Sequence, residues 1–194
     1  PALTRLLAHG PVGGGYAAVF AWRNALPLRP TPFDPAARDR LRMLPLVRTL
    51  KMLDMVFDLH AQLALHSIVA MGFYDGNLLV DFERDEIIVC DIDLYRRKPV
   101  FNDRGRMWGS TRFMAPEEFE LGAPIDESTM AYNMGALAFE LFGSNEDRRR
   151  ESWTGPTPLF YVAEKATKNA KSDRYPSMRA FQDAWREAVG RCRI

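Results

Sequence analysis

The chain has 194 residues, 26 Lys and Arg against 25 Asp and Glu, and a formal net charge of +1. With 47% hydrophobic and 26% charged residues it has the composition of a folded domain, which excludes a disordered or collagen-like chain. The charge balance lacks the basic excess of a nucleic-acid binder, and no apolar run nears the ~18 residues of a membrane span.

In chain order, residues 3–8 and 16–22 read as β-strands around the turn-prone stretch 9–15. Residues 24–35 hold Pro27, Pro30, Pro32 and Pro35 and read as a connector. Asp34 is a candidate cap for a short helix to residue 43, with Pro35 at its first position. Leu46, Leu50, Leu53, Phe57, His60 and Leu63 fall at three- and four-residue steps, one apolar face of a helix over 45–66. His60 and His66 on or near that face read as structural histidines rather than metal ligands. The apolar runs 77–82 and 87–90 read as a hairpin, and the Arg-rich 91–109 as a loop. Residues 128–142 are apolar nearly all round, so they form a buried helix. Residues 145–158 read as irregular, with Arg148, Arg149 and Arg150 as a solvated run. Residues 161–168 and 177–189 close the chain as amphipathic helices. The fold class is α+β, mainly α. Cys90 and Cys192 form no metal or disulfide pattern, which fits a reducing, cytoplasmic location, and no basic-then-apolar leader opens the sequence.

Three stretches carry chemistry. Gly72-Phe73-Tyr74-Asp75-Gly76-Asn77-Leu78-Leu79 leads a loop into a strand. Val89-Cys90-Asp91-Ile92-Asp93 ends a strand on an acid pair. Gly109-Ser110-Thr111-Arg112-Phe113-Met114-Ala115-Pro116-Glu117 follows. An amide oxygen and a carboxylate at the ends of paired strands converge on one hard cation, and Mg²⁺ held that way bridges nucleotide phosphates.

On these residues the chain resembles the eukaryotic-type Ser/Thr protein kinase family. Asn77 and the residues after it resemble the end of the H-R-D-x-x-x-x-N catalytic loop, Asp91 the acid of D-F-G, and Ala115-Pro116-Glu117 the A-P-E element. The resemblance implies a kinase-like C-terminal lobe over residues 27–194, with residual N-lobe strands and hinge over 1–26. It implies ATP and Mg²⁺ as cofactors, with Asn77 and Asp91 on the metal. Phe20 would stand at the gatekeeper position, Ala21, Trp22 and Arg23 in the hinge, and Leu79 under the adenine. Ser110 and Thr111 lie in the substrate segment, and Glu117 and Arg174 form a buried ion pair. The glycine-rich phosphate loop and the strand lysine would precede Pro1. Gly13, Gly14 and Gly15 read as a turn rather than that loop, since no lysine occurs before Lys51.

One departure is chemical. The catalytic aspartate of the family falls on Gly72, its neighbouring arginine on Met71 and its lysine on Tyr74. Glycine offers no group to accept a proton. Asp75 is the nearest substitute base, against the alternative that Asp75-Gly76 only makes a turn. Asp93 replaces the family's glycine, as a second ligand or a solvated acid. Met71 cannot pair with a phosphate on Ser110 or Thr111, so phosphorylation there gives no activation by that route. Arg96, Arg97, Lys98, Arg104 and Arg106 crowd the substrate segment, either to favour an acidic peptide or as loop solubilisers. The expected function is ATP-Mg-dependent phosphoryl transfer to a protein hydroxyl, impaired at Gly72. The alternatives are a pseudokinase that binds a protein partner and a small-molecule kinase, the latter disfavoured by Ala115-Pro116-Glu117 and Arg174.

Overall fold

The computed structural model describes residues 2–30, 32 and 34–192. The chain opens with an antiparallel hairpin, β1 (Leu6–Val12) and β2 (Gly15–Phe20), turned at Gly13 with φ +55°. The first strand runs beyond the predicted 3–8. His9, Gly10 and Pro11 belong to it, because a two-stranded sheet is all edge and proline is tolerated there. The proline-rich connector likewise contains a strand, β3 (Leu26–Pro27). It is followed by α1 (Ala36–Arg42), where Asp34 Oδ1 accepts from the Ala36 N–H at 2.9 Å, and by α2 (Leu46–Leu65).

After α2 come β4 (Ile68–Val69), β5 (Leu78–Asp81) and β6 (Glu86–Val89). Strands β3, β5 and β6 form one antiparallel sheet in that order, with Leu26 opposite Val80 and Leu78 opposite Val89. The predicted loop over 91–109 holds two short strands, β7 (Arg96–Arg97) against β4 and β8 (Val100–Phe101) against β9 (Pro124–Ile125). Helices α3 (Glu127–Phe142), α4 (Thr157–Ala166) and α5 (Met178–Gly190) complete a mixed α+β fold. The boundary expected at residue 26 falls on the first residue of β3. The stretch before β1 is also tied to the body, since Val89 N–H donates to Ala2 O at 2.6 Å.

The core lies between α2, α3, α4 and α5. The apolar stripe of α2 buries Leu50, Leu53, Phe57 and His60. Phe57 meets Phe181 and Trp185 of α5 edge-on, with centroids 5.0 and 5.1 Å apart, the geometry that aromatic quadrupoles favour. Asp126 caps α3 by accepting from Ser128 N–H at 2.9 Å, and residues 128–142 are buried throughout. Gly135 lets α3 approach α4 closely: a Cβ there would lie 2.8 Å from Ala166 Cβ. No helix among the described residues is long and apolar enough to cross a membrane.

Candidate functional site

The β5–β6 hairpin brings the two candidate ligands together. Leu78 pairs with Val89, and one step outward Cys90 N–H donates to Asn77 O at 2.8 Å, so Asn77 and Asp91 emerge at the same end. Asn77 closes a 3₁₀ turn over Asp75–Asn77 and is fixed there, because its Oδ1 accepts from Tyr74 N–H at 2.9 Å. Asp91 takes a left-handed backbone, φ +56°, sparsely populated by non-glycine residues but tolerated by Asp. The Asn77 Nδ2 then lies 3.5 Å from Asp91 Oδ2. Asn77 is buried and Asp91 exposed, and both line a cavity of about 290 Å³ with Gly72, Tyr74, Asp93, Trp108 and Ser110.

The backbone at position 72 favours glycine. Its φ is +69°, and a Cβ would approach Leu94 Cδ1 to 2.9 Å. Across from it, Gly109 has φ +121°, and a Cβ there would lie 3.3 Å from Gly72 Cα. The two loops touch backbone to backbone, an approach that a glycine permits.

Asp75 is not placed as a substitute base. Its two carboxylate oxygens accept from Arg112 Nη2 at 2.8 and 2.9 Å, and Arg29 lies 3.7 Å away. The side chain is 1% exposed and does not line the cavity. Burial pushes its carboxyl up, opposed by the hydrogen bond and charge of Arg112. Arg112 also pairs with Glu140, whose carboxylate accepts from Asn145 Nδ2 at 3.1 Å and lies 3.5 Å from Arg38. Asp75 is therefore one end of a buried ionic chain, neither a free acid nor a plain turn residue. Nothing in the local sequence signals it, since Arg112 lies 37 residues away. Arg148 departs from a solvated role too: it donates to Tyr132 OH at 2.7 Å and Arg112 O at 2.8 Å.

The residues expected around an adenine stand apart from this cavity. Phe20 ends β2 and is exposed, Trp22 is 91% exposed, and Ala21 N–H donates to Arg5 O at 2.9 Å. Arg23 pairs with Glu86 and lies 3.8 Å from Asp81, and Leu79 sits opposite Pro27 within the sheet. None of the five lines the Asn77–Asp91 cavity. Ser110 does, whereas Thr111 is exposed outside it.

Glu117 and Arg174 meet in the interior, with Nη1 to Oε1 at 2.7 Å and Nη2 to Oε2 at 3.0 Å. Thr129 Oγ1 donates to the same carboxylate at 2.7 Å. Burial opposes the charge on Glu117, but the Arg174 and Thr129 hydrogen bonds hold its carboxyl below the usual range. Removing one partner of such a pair typically costs about 3–5 kcal/mol. His60 is buried with both ring nitrogens engaged, at 2.7 Å from Val56 O and 3.0 Å from Tyr95 OH. Nδ1 donates to the carbonyl, and burial pushes the ring down to about 4, so at neutral pH it is uncharged and Nε2 accepts from the phenol. His66 is exposed.

The donor set at the cavity suits Mg²⁺. Asp91 offers a carboxylate, and Asn77 Oδ1, which accepts from Tyr74 N–H, keeps a second lone pair; the Asn77 amide nitrogen is the atom facing Asp91, so both oxygens bind one cation only once the amide turns. No group of three or more His, Cys, Asp or Glu among the described residues could hold a metal. A cation here therefore needs oxygens from another molecule, as Mg²⁺ does when it binds through one or two carboxylates plus phosphates. No known family model matches the chain, and no curated protein matches it.

Proposed function

We propose that the chain is a protein kinase-like lobe that binds a Mg²⁺-nucleotide through Asn77 and Asp91 and serves as a binding module for a protein partner. The observation that carries this reading is that Asn77 and Asp91 line one cavity side by side, with Asn77 Nδ2 3.5 Å from Asp91 Oδ2. Asn77 and Asp91 would hold the cation, which supplies charge neutralisation at the phosphates. The catalytic-base position is Gly72, and Asp75 is committed to Arg112, so neither accepts a proton from a hydroxyl. A cytoplasmic location accords with this reading.

One observation favours a second reading, phosphoryl transfer to a Ser or Thr hydroxyl. Asp93 is exposed and lines the same cavity as Gly72, so it is the carboxylate available to orient a hydroxyl there. Under that reading Asp93→Asn abolishes transfer.

Thermal unfolding with ATP, with and without Mg²⁺, tests the proposal, because a ligand that binds only the folded state raises the midpoint. The expected result is a rise that requires Mg²⁺ and disappears in Asp91→Asn. An equal rise with the metal chelated, or one unchanged in Asp91→Asn, would contradict it.

A further inference from the structure

A second cavity, of about 320 Å³, adjoins the first, and the two share Gly72, Leu94 and Trp108 as a common wall. Arg96, Arg97 and Arg104 line it against a single acid, Asp103. Three arginines against one aspartate give this lining a positive balance, where the chain as a whole carries only +1. Many arginines of the fold pair with acids, as Arg48 does with Asp85, Arg174 with Glu117 and Arg186 with Asp54. Arg96 and Arg97 do not. Arg96 donates to Asp93 O and Tyr95 O, Arg97 to His66 O at 3.4 Å, and among the described residues no carboxylate lies within 4 Å of either. Arg104 pairs with Asp103 at 2.9 Å, and its guanidinium lies 5.4 Å from the Trp108 ring centroid.

We propose that this trough docks the acidic segment of a protein partner, a peptide rich in Asp and Glu. The inference names the partner class of the module proposed above and rests on that reading. Guanidinium groups are matched to carboxylates by their fork geometry, and the two on β7, held only by carbonyls, keep donors to offer. The alternative anionic polymer, a nucleic acid, needs a longer basic track.

Fluorescence anisotropy on the full chain, without nucleotide or metal, tests it. The probes are a labelled Ser-containing peptide flanked by Asp and Glu, a lysine-flanked counterpart, and a single-stranded oligonucleotide of matched charge as competitor. The acidic peptide is expected to bind at least about tenfold more tightly than the lysine peptide, and less tightly as salt rises. Arg96→Gln with Arg97→Gln is expected to weaken it by about tenfold. Arg179→Gln, the loss of one charge on the exposed face of α5, is expected to leave it unchanged. Equal affinity for both peptides, no effect of the paired substitution, an equal effect of Arg179→Gln, or full competition by the oligonucleotide would each overturn the inference. Asp91→Asn separates the two proposals: it removes the Mg²⁺-dependent nucleotide effect and leaves peptide affinity in place.

Discussion

Glu118 is a buried carboxyl whose charged form the fold disfavours. Its Oε2 accepts from Ala115 N–H at 2.7 Å and Asn133 Nδ2 at 3.1 Å, yet burial pushes its carboxyl up to about 7, and the charge of Glu117 adds to the rise. The native state thus binds this proton more tightly than the unfolded chain does. Its contribution to stability is complete below about 4.5 and is lost as pH rises to about 7. His60 works in the other direction. Burial pushes its ring down to about 4, so its contribution is present above about 6.5 and lost as pH falls through 4. Between pH 4.5 and 6.5 the two slopes oppose. Glu118→Gln removes one of them, so urea unfolding at pH 5 and pH 8 is expected to show the variant gaining on the native protein by on the order of 2–3 kcal/mol. The amide's own hydrogen bonding shifts both pH values alike. A gap that stays constant with pH would contradict the assignment.

At the scale of elements, Gly135 separates packing from propensity. Glycine to alanine inside a helix gains up to about 1 kcal/mol from propensity alone. At Gly135 the added methyl meets Ala166 Cβ at 2.8 Å, Thr167 Cγ2 at 2.9 Å and Ala163 O at 3.0 Å. Overpacking of this kind costs about 1–3 kcal/mol, so Gly135→Ala is expected to lower the free energy of unfolding, measured by denaturant titration. An increase would show that α3 and α4 separate freely. The helices themselves were legible from spacing: the Leu50, Leu53, Phe57 stripe placed α2 within a residue at each end. Strands β7 and β8 were not legible, because two-residue pairings are too short to show a period of two. The length of β1 was hidden by His9, Gly10 and Pro11, which read locally as a turn.

For the whole molecule, the limits of the sequence follow chain distance. Asn77 and Asp91 are legible as candidates because a hairpin with adjacent strands carries both. The ionic chain of Asp75, Arg112 and Glu140 was not, since its partners lie 37 and 28 residues apart and no local pattern couples them. Gly72 was legible only as a missing base; its positive φ and its contact with the Gly109 loop give it a second, structural reason to be glycine. The β1–β2 hairpin leaves Leu7, Val12, Tyr16 and Phe20 more than 50% exposed, and the residues expected in a hinge stay outside the cavity.

The central claim is that Asn77 and Asp91 act jointly on one cation. Calorimetric titration of ATP in the presence of Mg²⁺, on the native chain, Asn77→Ala, Asp91→Asn and the double variant, tests it most directly. Joint action predicts that each single substitution removes most of the Mg²⁺-dependent affinity and that the second adds little to the first. Additive losses, each residue contributing independently, or binding indifferent to both, would contradict it.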